Sequence, residues 1–499
     1  MKGGENVLTT EEILQFISDD KASEKKRLAT VGQRYYEGDH DIRNYKLYYY
    51  NADGNLVEDK SRSNIKIPHP FFTELTDQAV QYMLSGKEGF VKSDNPELQN
   101  ELDAYFNENE DFTAELYETI TGCFAKGFDF MYAYKNAEDK TAFMNADSLG
   151  VVEVRAKDTD DKTEYVIYHY IDRIEKGRKK ITRVQVWDAK QTHFYVMEDE
   201  GKLIPDESEP INPKPHIIYH KEGDAAIYYD DYGFIPFFRL DNNKKQFSSL
   251  RPIKDLIDDY DLMSCGLSNN LQDASEYLVV VKNYAGDNLD ELMQNIKTKK
   301  HIGVDEAGGV EFKTVDIPYE ARQIKLELDE KNIYRFGGGL NLSGLKDTSA
   351  TTNIAIKSAY ALLDMRCNML EIRLKQFMRK LLKVVLKEIN DENGTDYQQK
   401  DVYFSFEREV MTNAQENAQI GLVEAQKRQA EINTLMSLAS TLDDETVMQL
   451  ICDELEIDYE EIKGKLPKDE EADVLEAENV LNEVVTDERA RAGNTAITT

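Results

Sequence analysis

The chain has 499 residues, and its 61 basic and 95 acidic side chains give a formal net charge of −34. This length allows about two to four domains, and so negative a charge opposes tight electrostatic binding to nucleic acid or to an anionic membrane. The four cysteines form no C-x-x-C pair, which predicts neither a zinc site nor a disulfide framework: Cys123, Cys265, Cys367 and Cys452. We therefore expect synthesis in a reducing cytoplasm.

Residues 1 to about 135 are predicted to be mainly helical. The opening MKGGENVLTTEEILQF turns polar and acidic at once, unlike a secretory signal peptide, and no apolar run in the chain approaches the length of a membrane span. TTEEILQFISDD supplies an N-cap followed by acidic residues in the first turn. Apolar residues recur at helical spacing over 72–86, and we predict Gly86 as the C-cap of that helix.

Residues from about 140 to 250 change to a strand pattern. VVEVRA, EYVIYHYI, RVQVWD and THFYVME are separated by turn residues and predict antiparallel strands, with Trp187 packed in the sheet. His216 and His220 in HIIYH would share one face of a strand, but without an H-E-x-x-H helix we interpret them as ordinary sheet histidines and predict no metal. No G-x-S-x-G elbow or Ser, His and Asp set is present, so no catalytic residue is nominated.

A long helix is predicted after Pro252, with apolar residues at helical spacing from Ile253 to Leu278. Acidic residues occupy much of its other side, which a solvated helix face would explain. Residues 284–317 then read as a compact insert: a short helix NLDELMQNI, the basic KTKKH, and a hairpin around the turn DEAGG. Pro318 is predicted to start a second helix that runs to Phe336.

The segment FGGGLNLSGLKDTSATT, 336–352, nearly matches a phosphate-binding loop. Gly339 and Gly344 have the Walker A separation, but Leu345 precedes Lys346, and Asp347 stands where a hydroxyl should bind magnesium. The preceding segment is charged and helical, whereas such a loop should follow a buried strand. We therefore favour a mobile connection between two helices.

The longest periodic segment follows, from about Thr352 to Ile389. Its predicted buried stripe is Leu363, Leu370, Leu374, Phe377, Leu381 and Val384. Its basic residues are Arg366, Arg373, Lys375, Arg379, Lys380, Lys383 and Lys387. Pairing with acidic surfaces, within one chain or between subunits, is favoured over a membrane or nucleic-acid patch.

The C-terminal part begins with a predicted strand, VYFSFEREV at 402–410, and continues in acidic helices. From Pro467 the sequence is rich in Asp and Glu with few aromatic residues, so we expect a partly disordered tail.

This order of elements resembles the portal proteins, or head-to-tail connectors, of long-tailed double-stranded DNA bacteriophages. RYYEGDHDI and SNIKIPHPFFTELTDQAVQYMLSGK are similar to the N-terminal signature of that family, and TTNIAIKSAYALLDMR at 351–366 is similar to the start of its long helix. The likeness covers about residues 30 to 465. The chain departs from the family in reading GKE at 86–88 instead of Gly-x-Pro, and in having GGGLNLSGLKDTS instead of a proline-aspartate stretch.

The resemblance implies an α+β portal fold whose subunits form a ring, typically a dodecamer, with long helices around a central channel. It implies these regions: wing 1–250, stem helix 251–281, clip 282–317, stem helix 318–336, tunnel loop 337–352, long wing helix and strand 353–412, crown 413–466 and acidic tail 467–499.

The glycine-rich segment would then be a tunnel loop that projects into the channel and touches the passing duplex. Glycines would let its backbone change shape, and its side chains would make weak contacts that ignore DNA sequence. The residues expected to contact DNA are Leu340, Asn341, Leu342, Ser343, Lys346 and Thr348, with Lys346 expected on a phosphate.

The stem acids would line the channel and repel the duplex, which would lower friction as it moves. The channel-lining residues implied are Asp258, Asp259, Asp261, Asp273, Glu276 and Glu327. The clip interface implied is Lys297, Lys299, Lys300, His301, Asp305 and Glu306.

The expected partners are double-stranded DNA, further copies of the chain, terminase, a head-completion or adaptor protein, and the scaffolding and major capsid proteins, with no membrane. We expect a virion protein at one capsid vertex, assembled in the host cytoplasm, without cofactor, metal or catalysis, because in the family the terminase hydrolyses ATP. Two alternatives stay open at this point: a monomeric helical scaffold or adaptor, and a nucleotide-binding enzyme that uses the loop at 337–348.

Overall fold

The computed structural model describes most of the chain in two compact units, Met1–Met411 and Thr412–Thr499. The described residues are 8–60, 62–155, 163–175, 179–198, 201–220, 226–273, 278–284, 288, 304–313, 319–341, 353–409, 414–437 and 444–454. Helices and sheets both contribute to the first unit, which is therefore α+β.

The helices of the first unit fall into an N-terminal group and a later group. The N-terminal group is α1 (Thr10–Ala22), α2 (Glu24–Tyr36), α3 (Phe71–Met83), α4 (Pro96–Leu102) and α5 (Glu110–Lys126). The later group is α6 (Lys254–Asp273), α7 (Tyr319–Gly337) and α8 (Asn353–Asn393). Single turns of other helix types lie at Asp41–Asn44, Asp103–Asn107 and Gln399–Asp401.

The strands form one large antiparallel sheet and several small ones. The large sheet has the order β10-β9-β8-β7-β6, with β11 beside β9: β6 (Val151–Arg155), β7 (Thr163–Glu175), β8 (Lys179–Trp187), β9 (Gln191–Glu198), β10 (Leu203–Pro205) and β11 (Lys214–Pro215). The three-stranded sheet is β14-β4-β5: β4 (Phe128–Lys135), β5 (Thr141–Ala146) and β14 (Phe237–Asp241).

The remaining strands pair two by two, as β1-β2, β12-β13, β15-β16 and β17-β3. Their bounds are β1 (Tyr48–Tyr50), β2 (Leu56–Glu58), β3 (Val91–Lys92), β12 (Ile217–His220), β13 (Ile227–Asp230), β15 (Leu278–Tyr284), β16 (Val304–Lys313) and β17 (Tyr403–Phe404).

Local sequence explains where helix α1 begins. Thr9 and Glu12 form a capping box at α1, so two free backbone N–H groups at the helix start are satisfied reciprocally.

The four strands predicted from alternation are β6 to β9, and their antiparallel pairing is confirmed, with Val166 opposite Trp187. Trp187 is buried between the two larger sheets, as predicted.

The core of the first unit is built around α8, which confirms the long helix predicted from periodicity. Its 41 residues rise about 60 Å. All six residues of the predicted stripe are at most 4% exposed, and they pack with α3, α5 and the three-stranded sheet in one hydrophobic cluster. A helix of this length buries its apolar face only with such neighbours.

Three boundary predictions were wrong. The helix before Gly86 ends at Met83, and Gly86 instead allows close approach to Glu407, whose carbonyl oxygen would lie 2.6 Å from an added Cβ. Helix α6 begins at Lys254, two residues after Pro252, and ends at Asp273. The apolar run that includes Leu278 is strand β15, which suits its three consecutive β-branched valines.

Two strand predictions also need correction. The predicted turn DEAGG lies within β16 (Val304–Lys313), which pairs antiparallel with β15 and shifts register there, between the Lys282–Gly309 and Tyr284–Val304 pairs. The predicted strand at 402–410 is regular only at Tyr403–Phe404, where it pairs with β3. Both errors have the same cause: strand pairing depends on a partner far away in sequence.

The second unit contains α9 (Ala414–Ser437) and α10 (Asp444–Glu454), consistent with the helical character expected there. The predicted acidic tail lies outside the described residues. Within the described part of the chain, no helix is long and apolar enough to cross a membrane.

Candidate functional site

Helices α6 and α7, predicted as the stem, pack against each other and join the N-terminal helices. Ile253 and Ile257 from the α6 end, with Ile333 from α7, are at most 1% exposed in a cluster with Phe72 and Leu75 of α3. An ion pair also joins the two helices: the Lys325 ammonium lies 2.5 Å from a carboxylate oxygen of Asp259. Lys325 also contacts Asp329 within α7.

Asp261 is the most deeply buried acid of α6, and it binds two histidines. Its carboxylate lies 2.7 Å from His40 Nδ1 and 2.7 Å from His69 Nδ1, and it accepts the His69 backbone N–H at 2.9 Å. Burial opposes ionisation, but the hydrogen bonds from His40 and His69 outweigh it and hold the pKa of Asp261 below its usual value. The carboxylate therefore fixes α6 to the chain segments that carry the two histidines.

The prediction that Asp261 lines a channel was wrong, because its side chain is 0% exposed within the chain itself. Asp258 and Asp259 are only partly exposed, since Asp258 accepts from Tyr35 and Lys254, and Asp259 pairs with Lys325. The hydroxyl of Ser63 donates to exposed Asp273 at 2.6 Å.

Glu327, on α7, is exposed and accepts from Gln323 at 3.0 Å. Glu276 lies outside the described residues. Among the five predicted stem acids that the structure describes, Asp273 and Glu327 are therefore the most exposed.

The first part of the glycine-rich segment is a packed junction of α7, α3 and α8. Arg366 of α8 donates from Nη1 to the carbonyls of Leu75 and Gly337, at 2.9 and 3.0 Å. Burial lowers the pKa of the Arg366 guanidinium to about 10, and the group also lies 4.5 Å from the centre of the Phe124 ring. Arg366 thus satisfies a carbonyl at the C-terminal end of α7, where helices leave acceptors free.

Gln78 of α3 holds the next residue of the junction from both sides. Its side-chain oxygen accepts the Leu340 N–H at 3.0 Å, and its side-chain nitrogen donates to the Leu340 carbonyl at 3.2 Å. Gly339 is enclosed as well, because an added Cβ would lie 2.0 Å from Leu75 Cδ2. The left-handed backbone of Gly338, with φ of +65°, suits glycine.

This junction corrects two predictions for the described part of the loop. Leu340 is 6% exposed and belongs to the hydrophobic core, which opposes the predicted contact with DNA. The glycines at 337–339 serve close packing rather than flexibility. Asn341 is half-buried and donates to Glu330 at 3.5 Å, while Leu342, Ser343, Lys346 and Thr348 lie outside the described residues.

The same geometry opposes a phosphate-binding role for these glycines. A phosphate loop needs free backbone N–H groups, but the N–H of Gly339 donates to the Tyr334 carbonyl at 3.0 Å and that of Leu340 donates to Gln78. Neither donor is available to a ligand.

The region predicted as the clip, 282–317, contains β16 and the last three residues of β15, whose first four residues fall in the segment predicted as stem helix. Its strands are joined by backbone pairing and by an ion pair between Lys282 and Glu311 at 2.5 Å. Asp305 and Glu306 lie on β16, whereas the four basic residues predicted for this interface, Lys297, Lys299, Lys300 and His301, lie outside the described residues.

Of the two predicted sheet histidines, the side chain of His216 is described and packs near Trp187. His216 lies just before β12, with its ring 5.4 Å from that of Trp187, and burial lowers its pKa to about 4. Among the described residues, no group of His, Cys, Asp and Glu side chains is arranged to hold a metal ion.

Sequence reasoning missed the structural roles of His40, His69, Gln78 and Arg366. Each makes its main contact with a residue far away in the chain, as with His40 and Asp261. All four occur in the segments similar to the portal family, so that resemblance was the one signal pointing to them.

Comparison with known proteins places the chain among bacteriophage structural proteins of the portal class. It belongs to the family described as phage portal protein, SPP1 Gp6-like, whose model matches residues 14–463. The portal protein of Bacillus phage SPP1 is 25% identical over 391 residues, covering 78% of this chain and 75% of that protein. The portal protein of Clostridium phage phiCD119 is 25% identical over 429 residues, covering 82% of this chain and 88% of that protein.

Proposed function

We propose that the chain is the subunit of a portal ring at one vertex of a phage capsid, through which the genome enters and leaves. The observation that carries this proposal is the family match over residues 14–463, which includes every element of the first unit except the start of α1. The ring would also be the docking platform for terminase during packaging and for head-completion and tail proteins afterwards.

Within this ring, α6 and α7 form the stem around the channel. The ion pair between Asp259 and Lys325 and the buried Asp261 hold these helices to one another and to the N-terminal helices. Such cross-bracing lets the stem keep its shape while DNA moves past it. Asp273 and Glu327 are the acids proposed to face the duplex, because their exposed carboxylates can repel phosphates.

The β15-β16 pair belongs to the proposed clip, and α9 and α10 to the proposed crown. The rest of the first unit forms the wing, with α8 as its central rod. The segment after Asn341 is proposed as the tunnel loop. Arg366 and Gln78 fix Gly337 and Leu340 at its base.

An acidic channel wall and sequence-independent contact fit a conduit better than a specific DNA-binding protein. The net charge of −34 disfavours stable electrostatic association with DNA. A duplex that must slide needs weak contacts, and repulsion from the wall prevents it from adhering. No catalytic step is proposed for the subunit.

The experiment that tests this function is antibody labelling of virions opened at the tail joint, viewed by electron microscopy. A polyclonal serum against the purified chain should label particles opened at the tail joint at one vertex only. Labelling distributed over the capsid shell, or along the tail, would overturn the proposal. Empty capsids assembled without the chain are the control for serum specificity.

A further inference from the structure

Helix α8 has a second apolar stripe, on the side away from the core. Leu362, Met365, Met369 and Ile372 are 38, 57, 67 and 65% exposed. Their spacing of three and four residues places them on one side of the helix. We call this side, from Leu362 to Lys387, the α8 outer face.

The charged residues beside this stripe are already engaged. Arg408 contacts Glu371 and donates to Asp364 at 3.2 Å, and Lys375 pairs with Glu371 at 2.8 Å. These groups lie on one flank of the helix, so the stripe itself stays apolar. Four large exposed apolar side chains in a chain with 31% charged residues indicate a surface that is covered in the working assembly.

The same face becomes basic further along the helix. At about 100° per residue, the exposed residues Arg379, Lys380, Lys383 and Lys387 lie on the same side as the apolar stripe. None of the four has an ion-pair partner within the described part of the chain, and the Lys383 ammonium rests 5.2 Å from the centre of the Phe234 ring. The α8 outer face therefore offers an apolar half and a basic half.

We propose that the α8 outer face packs against the neighbouring copy of this chain in the ring. A second copy supplies what both halves need, because it carries 95 acidic against 61 basic side chains and so meets the basic half with excess negative charge. It also carries exposed apolar residues on a different element: Ile324 and Leu328 of α7 are 65 and 52% exposed. Two different patches on one copy are what a head-to-tail ring contact requires.

The composition of the α8 outer face favours a lasting contact with another copy of the chain over a contact with a transient partner. Methionine is enriched in interfaces, and obligate interfaces between like subunits are more apolar than those of passing encounters. This inference rests on the proposed ring and names the surface that closes it.

The test is site-specific photo-crosslinking of the full chain, purified without other phage proteins. Benzoylphenylalanine placed at Met369 should give, after illumination, covalent products at two, three and higher multiples of the chain mass. The matched control places the same probe at Ile174, which is 64% exposed on β7, and should give at least fivefold less product. Equal ladders from both positions would overturn the inference, since exposure alone would then explain them.

A second variant separates assembly from folding. Met369→Glu with Ile372→Glu should reduce the ring fraction at least tenfold and leave the melting temperature of the dissociated chain unchanged, while Ile174→Glu leaves both unchanged. A double variant that assembles like the wild type would contradict the proposal, as would one that merely unfolds, because the face would then be covered within one chain.

The outcomes also distinguish this inference from the proposed function. Wild-type rings without a Met369 crosslink would overturn the inference alone. Absence of rings under every condition would remove the proposed function, and absence of crosslinks in the same samples would then remove the inference as well. Crosslinking that stops at pairs would indicate a two-fold contact and contradict the ring arrangement.

Discussion

At the scale of single residues, buried charged side chains hold distant parts of the fold together. Asp261 with His40 and His69 is one such centre, and Glu388 is another, since it accepts from Tyr105 and Thr141 and pairs with Lys135 at 2.9 Å. Removing one member of a buried ionic group leaves the others without a partner, which costs more than the net stability of the intact group.

Replacing Asp261 should therefore destabilise the fold markedly. Asp261→Asn removes the charge that both histidines contact and is expected to cost about 3 kcal/mol in the free energy of unfolding, measured by urea denaturation. Asp273→Asn, on the exposed end of the same helix, is the control and should change stability by less than about 0.5 kcal/mol. Equal effects would show that Asp261 does not brace α6.

The direction of the pH dependence of this centre follows from its lowered pKa. A carboxyl with a lower pKa in the folded state stabilises the protein above the unfolded value of about 4. That stability is lost as the pH falls through the folded pKa of Asp261. The contribution of Asp261 is therefore complete at neutral pH.

Two half-buried histidines should make the protein sensitive to mild acid. Burial lowers the pKa of His169 and of His216 to about 4, whereas an exposed histidine titrates near about 6.5. The unfolded chain therefore takes up protons first, and the free energy of unfolding should fall as the pH drops from about 6.5 to about 4.

The measurement is the urea midpoint as a function of pH for the wild type and for the variant with His169→Phe and His216→Phe. The slope of the midpoint between about pH 6.5 and pH 4 should be shallower in the variant, while above pH 7 the two slopes should agree. An unchanged slope in the acid range would contradict the assignment of these two groups.

At the scale of elements, most periodic patterns were read correctly, apart from the end of α6, whereas long-range contacts were not. The alternation in β6 to β9 and the helical repeat in α8 are local properties, so the sequence contains them directly. The β15-β16 pairing and the packed glycines at 337–339 depend on partners elsewhere in the chain. Glycine is ambiguous in this respect, because flexibility and close approach require the same residue.

The junction at Gly339 offers a direct test of that ambiguity. Gly339→Ala should cost about 2 kcal/mol, because the new Cβ would meet Leu75, which is fully buried and has no room to move aside. Gly309→Ala on β16, where no described residue lies within 4 Å of an added Cβ, is the control and should be nearly neutral. Thermal unfolding of the two variants measures the difference, and a neutral Gly339→Ala would favour a flexible segment.

The two faces of α8 should respond differently to truncation. Leu374→Ala removes a fully buried side chain and should cost about 3 kcal/mol in unfolding free energy. Ile372→Ala removes a side chain that is 65% exposed in one chain and should cost less than about 0.5 kcal/mol in the dissociated protein. If both changes were equally costly in the dissociated protein, Ile372 would be covered within the chain.

At the scale of the whole molecule, the family assignment suggests a role for two surface features that have no evident role in a single subunit. A single chain exposes the α8 outer face and keeps Asp273 and Glu327 in solvent. In the proposed ring, the first surface would gain a neighbour and the acids would line the channel. Periodicity shows that a helix has two faces but not which face meets the next subunit, so sequence reasoning placed Asp261 in the channel although it lies in the core.

The measurement that tests this account most directly is the native mass of the purified chain across salt and protein concentration, with images of the same samples. The account predicts closed rings with a central hole and a mass that is a fixed multiple of 57.3 kDa. A strict monomer at every condition, even after the scaffolding protein of the same phage is added, would contradict it.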